Sequence, residues 1–188
     1  MPNVSAALAL ATELHAGQTR KGGSIPYIVH PIGVAAVVAQ YGGDNTLICA
    51  ALFHDVLEDC GVDAFARVQK AFGADVSNIV FDCTRPRGES RTTYLRRIVA
   101  APGDLALTVA LADKLDNARA IARDALLAGG PSVWDRFTGG ESAVRAYYAN
   151  IDTVLCKEGG RRGGALAVLG YECHMAISFV STFFTKGE

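Results

Sequence analysis

The sequence predicts an all-α domain, and three observations carry that reading. Apolar residues recur at helical spacing from the start of the chain, with Val4, Leu8, Ala11 and Leu14 forming the first stripe. Strand-like alternation is nowhere sustained. Capping residues, glycines and prolines cut the chain into pieces of helix length.

Taken in order, Asn3 or Ser5 caps the first helix, and Pro31 opens a second that runs until Gly42-Gly43 stops it. Asp44 or Asn45 caps a third, which carries Leu47 through Asp59. Asp63 opens a fourth, ended by Gly73, and a fifth follows to about Cys83. Tyr94 to Val99 reads as a sixth, closed by Pro102-Gly103, and Asp104 caps a long seventh through Leu127. Beyond Gly129-Gly130-Pro131 come a short turn around Trp134 and a helix from about Glu141 to Lys157. A Gly-Gly-Arg-Arg-Gly-Gly stretch at 159–164 then separates off an apolar C-terminal helix spanning 159–188.

At 188 residues, 50% apolar and without a linker or internal repeat, the chain reads as one domain over 1–188 with a core of its own. The net charge of −1 gives no broad field for nucleic acid or an anionic membrane, so any bound phosphate must meet a local basic pocket. Five cysteines, with no Cys-x-x-Cys pair, fit reduced thiols and a cytoplasmic setting. Glu13 and His15 interrupt the first apolar stretch too early for a signal peptide. Gly164 to Phe184 is long and apolar enough to span a bilayer, but it contains Glu172 and His174. A carboxylate in lipid costs about 3 kcal/mol or more, so a core helix is expected there and no membrane partner.

Function is read from ionisable groups lying in otherwise apolar helices. The third helix ends His54-Asp55-Val56-Leu57-Glu58-Asp59, and the four-residue spacing of His54 with Glu58 and Asp55 with Asp59 puts two columns on one helix face. Three carboxylates and an imidazole that close together need a cation or protons to compensate them. In the seventh helix, Asp113 follows seven uncharged residues, and Asn117 lies one turn further along the same face. His30 precedes Pro31 at the mouth of the second helix. Together His30, His54, Asp55 and Asp113 form a mixed imidazole and carboxylate set suited to Mn²⁺, Fe²⁺ or Zn²⁺. Arg20-Lys21 and the Gly22-Gly23-Ser24 loop that leads towards His30 can bring cations and backbone N–H groups to phosphate.

Four motifs extend this reading: His-x-Gly-Gln-x-Arg-Lys at 15–21, Pro-Tyr-Ile-x-His-Pro at 26–31, His-Asp-Val-x-Glu-Asp at 54–59 and Leu-Ala-Asp-Lys-Leu-x-Asn-x-Arg at 111–119. They resemble the hydrolase domain of the RelA/SpoT alarmone enzymes within the HD superfamily. Trp134 with Phe137, and Tyr147-Tyr148, resemble the later part of the stand-alone small alarmone hydrolases, so the likeness covers residues 4–158. The resemblance implies a single helical HD domain. It also implies Mn²⁺-dependent removal of the 3′-pyrophosphate of (p)ppGpp, giving GDP or GTP, the reaction that ends or tunes the stringent response. With 188 residues there is no room for the synthetase domain of the long enzymes.

By that resemblance His30, His54, Asp55 and Asp113 hold the metal, and Glu58 and Asp59 orient or activate the attacking water. Arg20, Lys21, Ser24 and Asn117, with Tyr147 or Tyr148, contact the nucleotide. Two positions depart from the pattern: Ala120 stands where Thr is common, and Cys60 replaces the Thr usual after Glu-Asp. Other readings of the same residues are hydrolysis of (p)ppApp or of NADPH at its 2′-phosphate, or an alarmone-binding or antitoxin protein without catalysis. No feature of the sequence specifies an oligomeric state.

Overall fold

The computed structural model describes residues 1–128, 134, 137 and 139–183. The Gly129-Gly130-Pro131 break and Phe184, the end of the apolar stretch, lie outside the described residues. All the elements are helices: α1 (Val4–Leu14), α2 (Val29–Gln40), α3 (Asn45–Phe53), α4 (Val56–Asp59), α5 (Val62–Cys83), α6 (Arg91–Ala100), α7 (Leu105–Ala128), α8 (Gly140–Ile151), a π-helical turn (Asp152–Cys156), α9 (Lys157–Arg162) and α10 (Gly164–Phe183).

Several starts fall where the capping chemistry puts them. The Ala6 N–H donates to Asn3 Oδ1 at 3.0 Å and the Leu47 N–H to Asp44 Oδ1 at 2.9 Å. Gly73 sits inside α5 with φ 77° and ψ −176°, so the two helices predicted on either side of it are present, end to end across a kink. Ser90 caps α6 through the Thr93 N–H at 3.1 Å, a turn earlier than predicted.

Three boundaries differ from the sequence reading. Helix α2 begins at Val29, two residues before Pro31; its first turn leaves N–H groups without helical partners, so a proline at the third position costs nothing. His30 therefore lies inside the helix. The predicted continuous helix through Asp59 is broken at His54 and Asp55, where the buried His54 Nδ1 takes the Ala51 carbonyl at 2.8 Å. Glycines 159 and 160 do not stop a helix. Helical structure continues through the π turn to Arg162, because Gly159 is where α10 crosses closely.

The crossing is tight enough to test. A Cβ on Gly170 would lie 2.9 Å from the Cys156 carbonyl oxygen and 3.4 Å from Gly159 Cα, both of them backbone atoms that cannot swing aside. Gly170→Ala is expected to lower stability by about 1–3 kcal/mol, at about 2–4 °C of Tm per kcal/mol for a chain of this size. A thermal melt indistinguishable from wild type would show that the crossing has slack.

Helix α7 runs through the middle of the core. Leu107, Leu111 and Leu115 on it are fully buried, with α2, α3, α5 and α10 packed around it. Helix α10 buries Leu166, Leu169, Cys173, Ile177 and Val180, while Val168, Tyr171 and Met175 on its other face are exposed. The sequence reading made it a buried helix, and the structure makes it half-buried. By length and composition it could cross a membrane, yet Glu172 is paired with Arg119 at 2.7 Å and His174 with Asp152 at 2.7 Å.

Candidate metal centre

Three elements bring the site together: the first turn of α2, the break between α3 and α4, and the middle of α7. They carry His30, His54 with Asp55, and Asp113. His30 Nε2 lies 3.2 Å from Asp113 Oδ1 and 3.6 Å from Asp55 Oδ2. His54 Nε2 lies 3.0 Å from Asp55 Oδ2 and 4.0 Å from Asp113 Oδ1. His30, His54 and Asp55 each offer a donor atom within 4.8 Å of the others, and Asp113 joins this trio through its contacts with both rings. All four predicted ligands thus converge from stretches far apart in the chain.

The donor set fits a divalent ion on its own chemistry. His54 Nδ1 faces the Ala51 carbonyl, an acceptor only, so that nitrogen carries the proton and Nε2 presents its lone pair to the centre. His54 Nε2 is buried and has no hydrogen-bond partner, although Asp55 is close. A buried imidazole nitrogen facing two carboxylates and a second imidazole is the arrangement that a cation of nitrogen and oxygen preference satisfies, the ion taking the place of a proton.

The electrostatics agree with the geometry. Burial opposes ionisation of Asp113, but the Lys114 ammonium and both imidazoles outweigh it and hold the carboxyl well below the usual range. Asp55 is likewise held low against its burial, by His54 first and then His30. Burial would lower the imidazole of His54, yet Asp55 and Asp113 outweigh it and push it up to about 9. Carboxylate and imidazolium charges thus compensate one another at the centre.

The other predicted residues are distributed unequally. The hydroxyl of Tyr27 donates to Asp55 Oδ2 at 2.6 Å, and Arg20 stacks near the Tyr27 ring at 5.9 Å. Arg20 also donates to Asn117 Oδ1 at 2.8 Å, and Asn117 in turn donates to Asp113 Oδ1. Arg20 and Asn117 are therefore already wired to the centre. The loop carrying Arg20 is closed by an isolated antiparallel bridge between Thr19 and Pro26, which leaves Lys21 and Ser24 exposed at its tip.

Glu58 and Asp59 stand outside the ligand trio. The backbone stays right-handed helical through His54 and Asp55, and the Asp59 N–H reaches the Asp55 carbonyl at 2.8 Å, so Asp55 and Asp59 face the Tyr27 hydroxyl together. Glu58 accepts the Arg85 N–H at 3.2 Å and faces its guanidinium at 3.7 Å, while Asp59 lies beside the Tyr27 hydroxyl, whose proton goes to Asp55. Burial raises the carboxyl of Glu58 and Arg85 opposes that shift. Tyr148 is buried in the core, whereas the half-buried Tyr147 lies against the Arg91 guanidinium at 4.6 Å and the Lys114 ammonium at 5.9 Å. Of the two tyrosines, Tyr147 is the one placed to meet a ligand.

Sequence reasoning missed Asp116, Lys114, Arg85 and Arg91. Lys114 is nearly buried, between the ring of Tyr94 and that of Tyr147, with its ammonium on Asp113. A lysine in so apolar a helix was the available signal. The three arginines at 85, 87 and 91 were also visible as a basic loop.

Residues 7–136 match the family described as HD domain. A probable guanosine-3′,5′-bis(diphosphate) 3′-pyrophosphohydrolase of Synechocystis is 33% identical over 124 residues, which are 61% of this chain and 16% of that protein. The corresponding Aquifex aeolicus protein is 34% identical over 124 residues, 63% of this chain and 18% of its own length. The chain therefore matches about a sixth of these relatives' length. A solved structure described as a metazoan ortholog of SpoT that hydrolyzes ppGpp shares the fold, with a TM-score of 0.66 at 22% identity, covering 96% of this chain and 95% of that one.

Proposed function

The chain belongs to the HD domain family, and on that footing we propose that it is a Mn²⁺-dependent hydrolase that removes the 3′-pyrophosphate of (p)ppGpp, giving GDP or GTP and pyrophosphate. The observation that carries this reading is the convergence of His30, His54, Asp55 and Asp113 beside Arg20 and Asn117. A diphosphate ester is shielded by its own negative oxygens, so a hydrolase must supply both a nucleophile and positive charge. A divalent ion held by the four ligands would supply an acidified water and polarise a phosphate oxygen.

The rest of the chemistry falls to the chain's own side chains. Glu58, with its carboxyl raised by burial, is suited to accept the proton of the attacking water. Asp59, beside the Tyr27 hydroxyl, fixes the direction of the water. Arg20 and Lys21 offset charge on the phosphates and stack on the base, and Ser24 and Tyr147 complete the nucleotide contacts. The small-molecule site, the near-zero net charge and the reduced cysteines suit an enzyme of the cytoplasm that acts on neither nucleic acid nor membrane.

The test is product identification after incubating chelated and Mn²⁺-reloaded protein with ppGpp, with pppApp and NADPH run alongside. Release of pyrophosphate and GDP only with Mn²⁺ is expected. Turnover of NADPH or pppApp in preference to ppGpp would move the substrate, and tight ppGpp binding without product would make the protein a binder. Arg20→Ala is expected to raise KM for ppGpp about tenfold or more, since charge-assisted hydrogen bonds of this kind contribute about 1.5–3 kcal/mol. An unchanged KM would remove Arg20 from the nucleotide site.

A further inference from the structure

The x of Leu-x-Asn in the fourth motif is Asp116 here, and nothing in the proposed chemistry uses it. Its Oδ2 lies 2.6 Å from His30 Nδ1, on the side of the ring away from the centre. A carboxylate only accepts, so the proton sits on Nδ1 and the lone pair of Nε2 faces Asp55 and Asp113. The two histidines are thus oriented differently: His54 by the neutral Ala51 carbonyl and His30 by a full negative charge.

A second feature shows that room has been made for this carboxylate. Gly33 lies one turn after His30 on α2, and a Cβ there would come 2.3 Å from Asp116 Oδ1 and 3.0 Å from Asp116 Cγ. No side chain fits between α2 and this carboxylate. Gly33 has no positive φ, so backbone conformation does not demand glycine there. The absent side chain is what lets Asp116 reach the ring.

We infer that Asp116 is a positioning residue of the metal centre, holding His30 in its ligating tautomer and orientation, and that Gly33 is glycine to admit it. The inference rests on the metal reading above. Partners of this kind change metal affinity by about 10–100-fold when removed, because the ring loses both its orientation and part of its basicity.

The experiment measures Mn²⁺ affinity directly by calorimetry, and the Co²⁺ absorption spectrum, on the full chain with no substrate present. Asp116→Ala is expected to weaken Mn²⁺ binding about 10–100-fold and to alter the Co²⁺ spectrum, with helical circular dichroism unchanged. Asp116→Asn keeps an oxygen for the Nδ1 proton and nearly the same volume, so it should fold and lose less affinity. Gly33→Ala should weaken binding as Asp116→Ala does. The Gly33→Ala/Asp116→Ala double variant should lose no more than Asp116→Ala alone, since the clash disappears with the carboxylate. Wild-type affinity in both Asp116 variants overturns the role of Asp116, and fully additive losses in the double variant overturn the steric link. A wild-type protein that takes up no divalent ion overturns the metal reading itself and this inference with it.

Discussion

Asp113→Ala is expected to abolish turnover of ppGpp and to strip the protein of its divalent ion, while circular dichroism still reports a helical fold. The carboxylate is the only predicted ligand supplied by α7, and it stands 3.2 Å from His30 Nε2 and 4.0 Å from His54 Nε2. It also anchors two neighbours, since both Lys114 and Asn117 donate to it and Arg20 donates to Asn117. Its loss leaves the nearly buried Lys114 ammonium without that partner, which costs stability in the same variant. Asp113→Asn separates the effects: it keeps the volume and an oxygen but not the charge, so a well-folded Asn variant that binds no Mn²⁺ and turns over nothing assigns the defect to ligation. Full activity of the Asn variant would remove Asp113 from the mechanism.

Glu58→Gln is expected to behave differently, retaining Mn²⁺ while kcat falls about 10²–10⁴-fold, the range general base catalysis contributes. The reason is position. Glu58 lies outside the ligand trio, yet on the four-residue helix α4 that starts right after Asp55, so it borders the centre without entering it. The amide keeps the acceptor for the Arg85 N–H but cannot take a proton. Metal content measured beside kcat decides the case: a variant that loses the ion makes Glu58 a ligand, and a variant with wild-type kcat leaves proton transfer to Asp59.

The helical class, the breaks at Gly73 and after Gly42, and the caps at Asn3 and Asp44 were legible from residue types, since each reflects local chemistry within a few residues. The four candidate ligands were legible because charges in apolar helices stand out against their neighbours. Glu58 and Asp59 were picked out as functional candidates on the same ground. What was misread is the continuity of that helix, which is interrupted at His54 and Asp55, where the His54 side chain takes the Ala51 carbonyl. Gly159 was misread for a related reason: a glycine that stops a helix and a glycine that lets another helix approach look alike in one dimension.

Asp116 marks the limit most sharply. A carboxylate two residues from a lysine and one turn from an arginine on a helix reads as solvated, and only the packing of α2 against α7 reveals that it meets His30 across the Cα of Gly33. Residue types and their periodicity alone thus determined the helices, the single domain and the set of metal-seeking side chains, because those follow from local propensity and from the cost of charge among apolar neighbours. Which nitrogen of His30 faces inward, which tyrosine lies against Lys114 and Arg91 and which carboxylate meets His30 from behind were decided by contacts between residues as many as 86 positions apart. No local pattern encodes such distances.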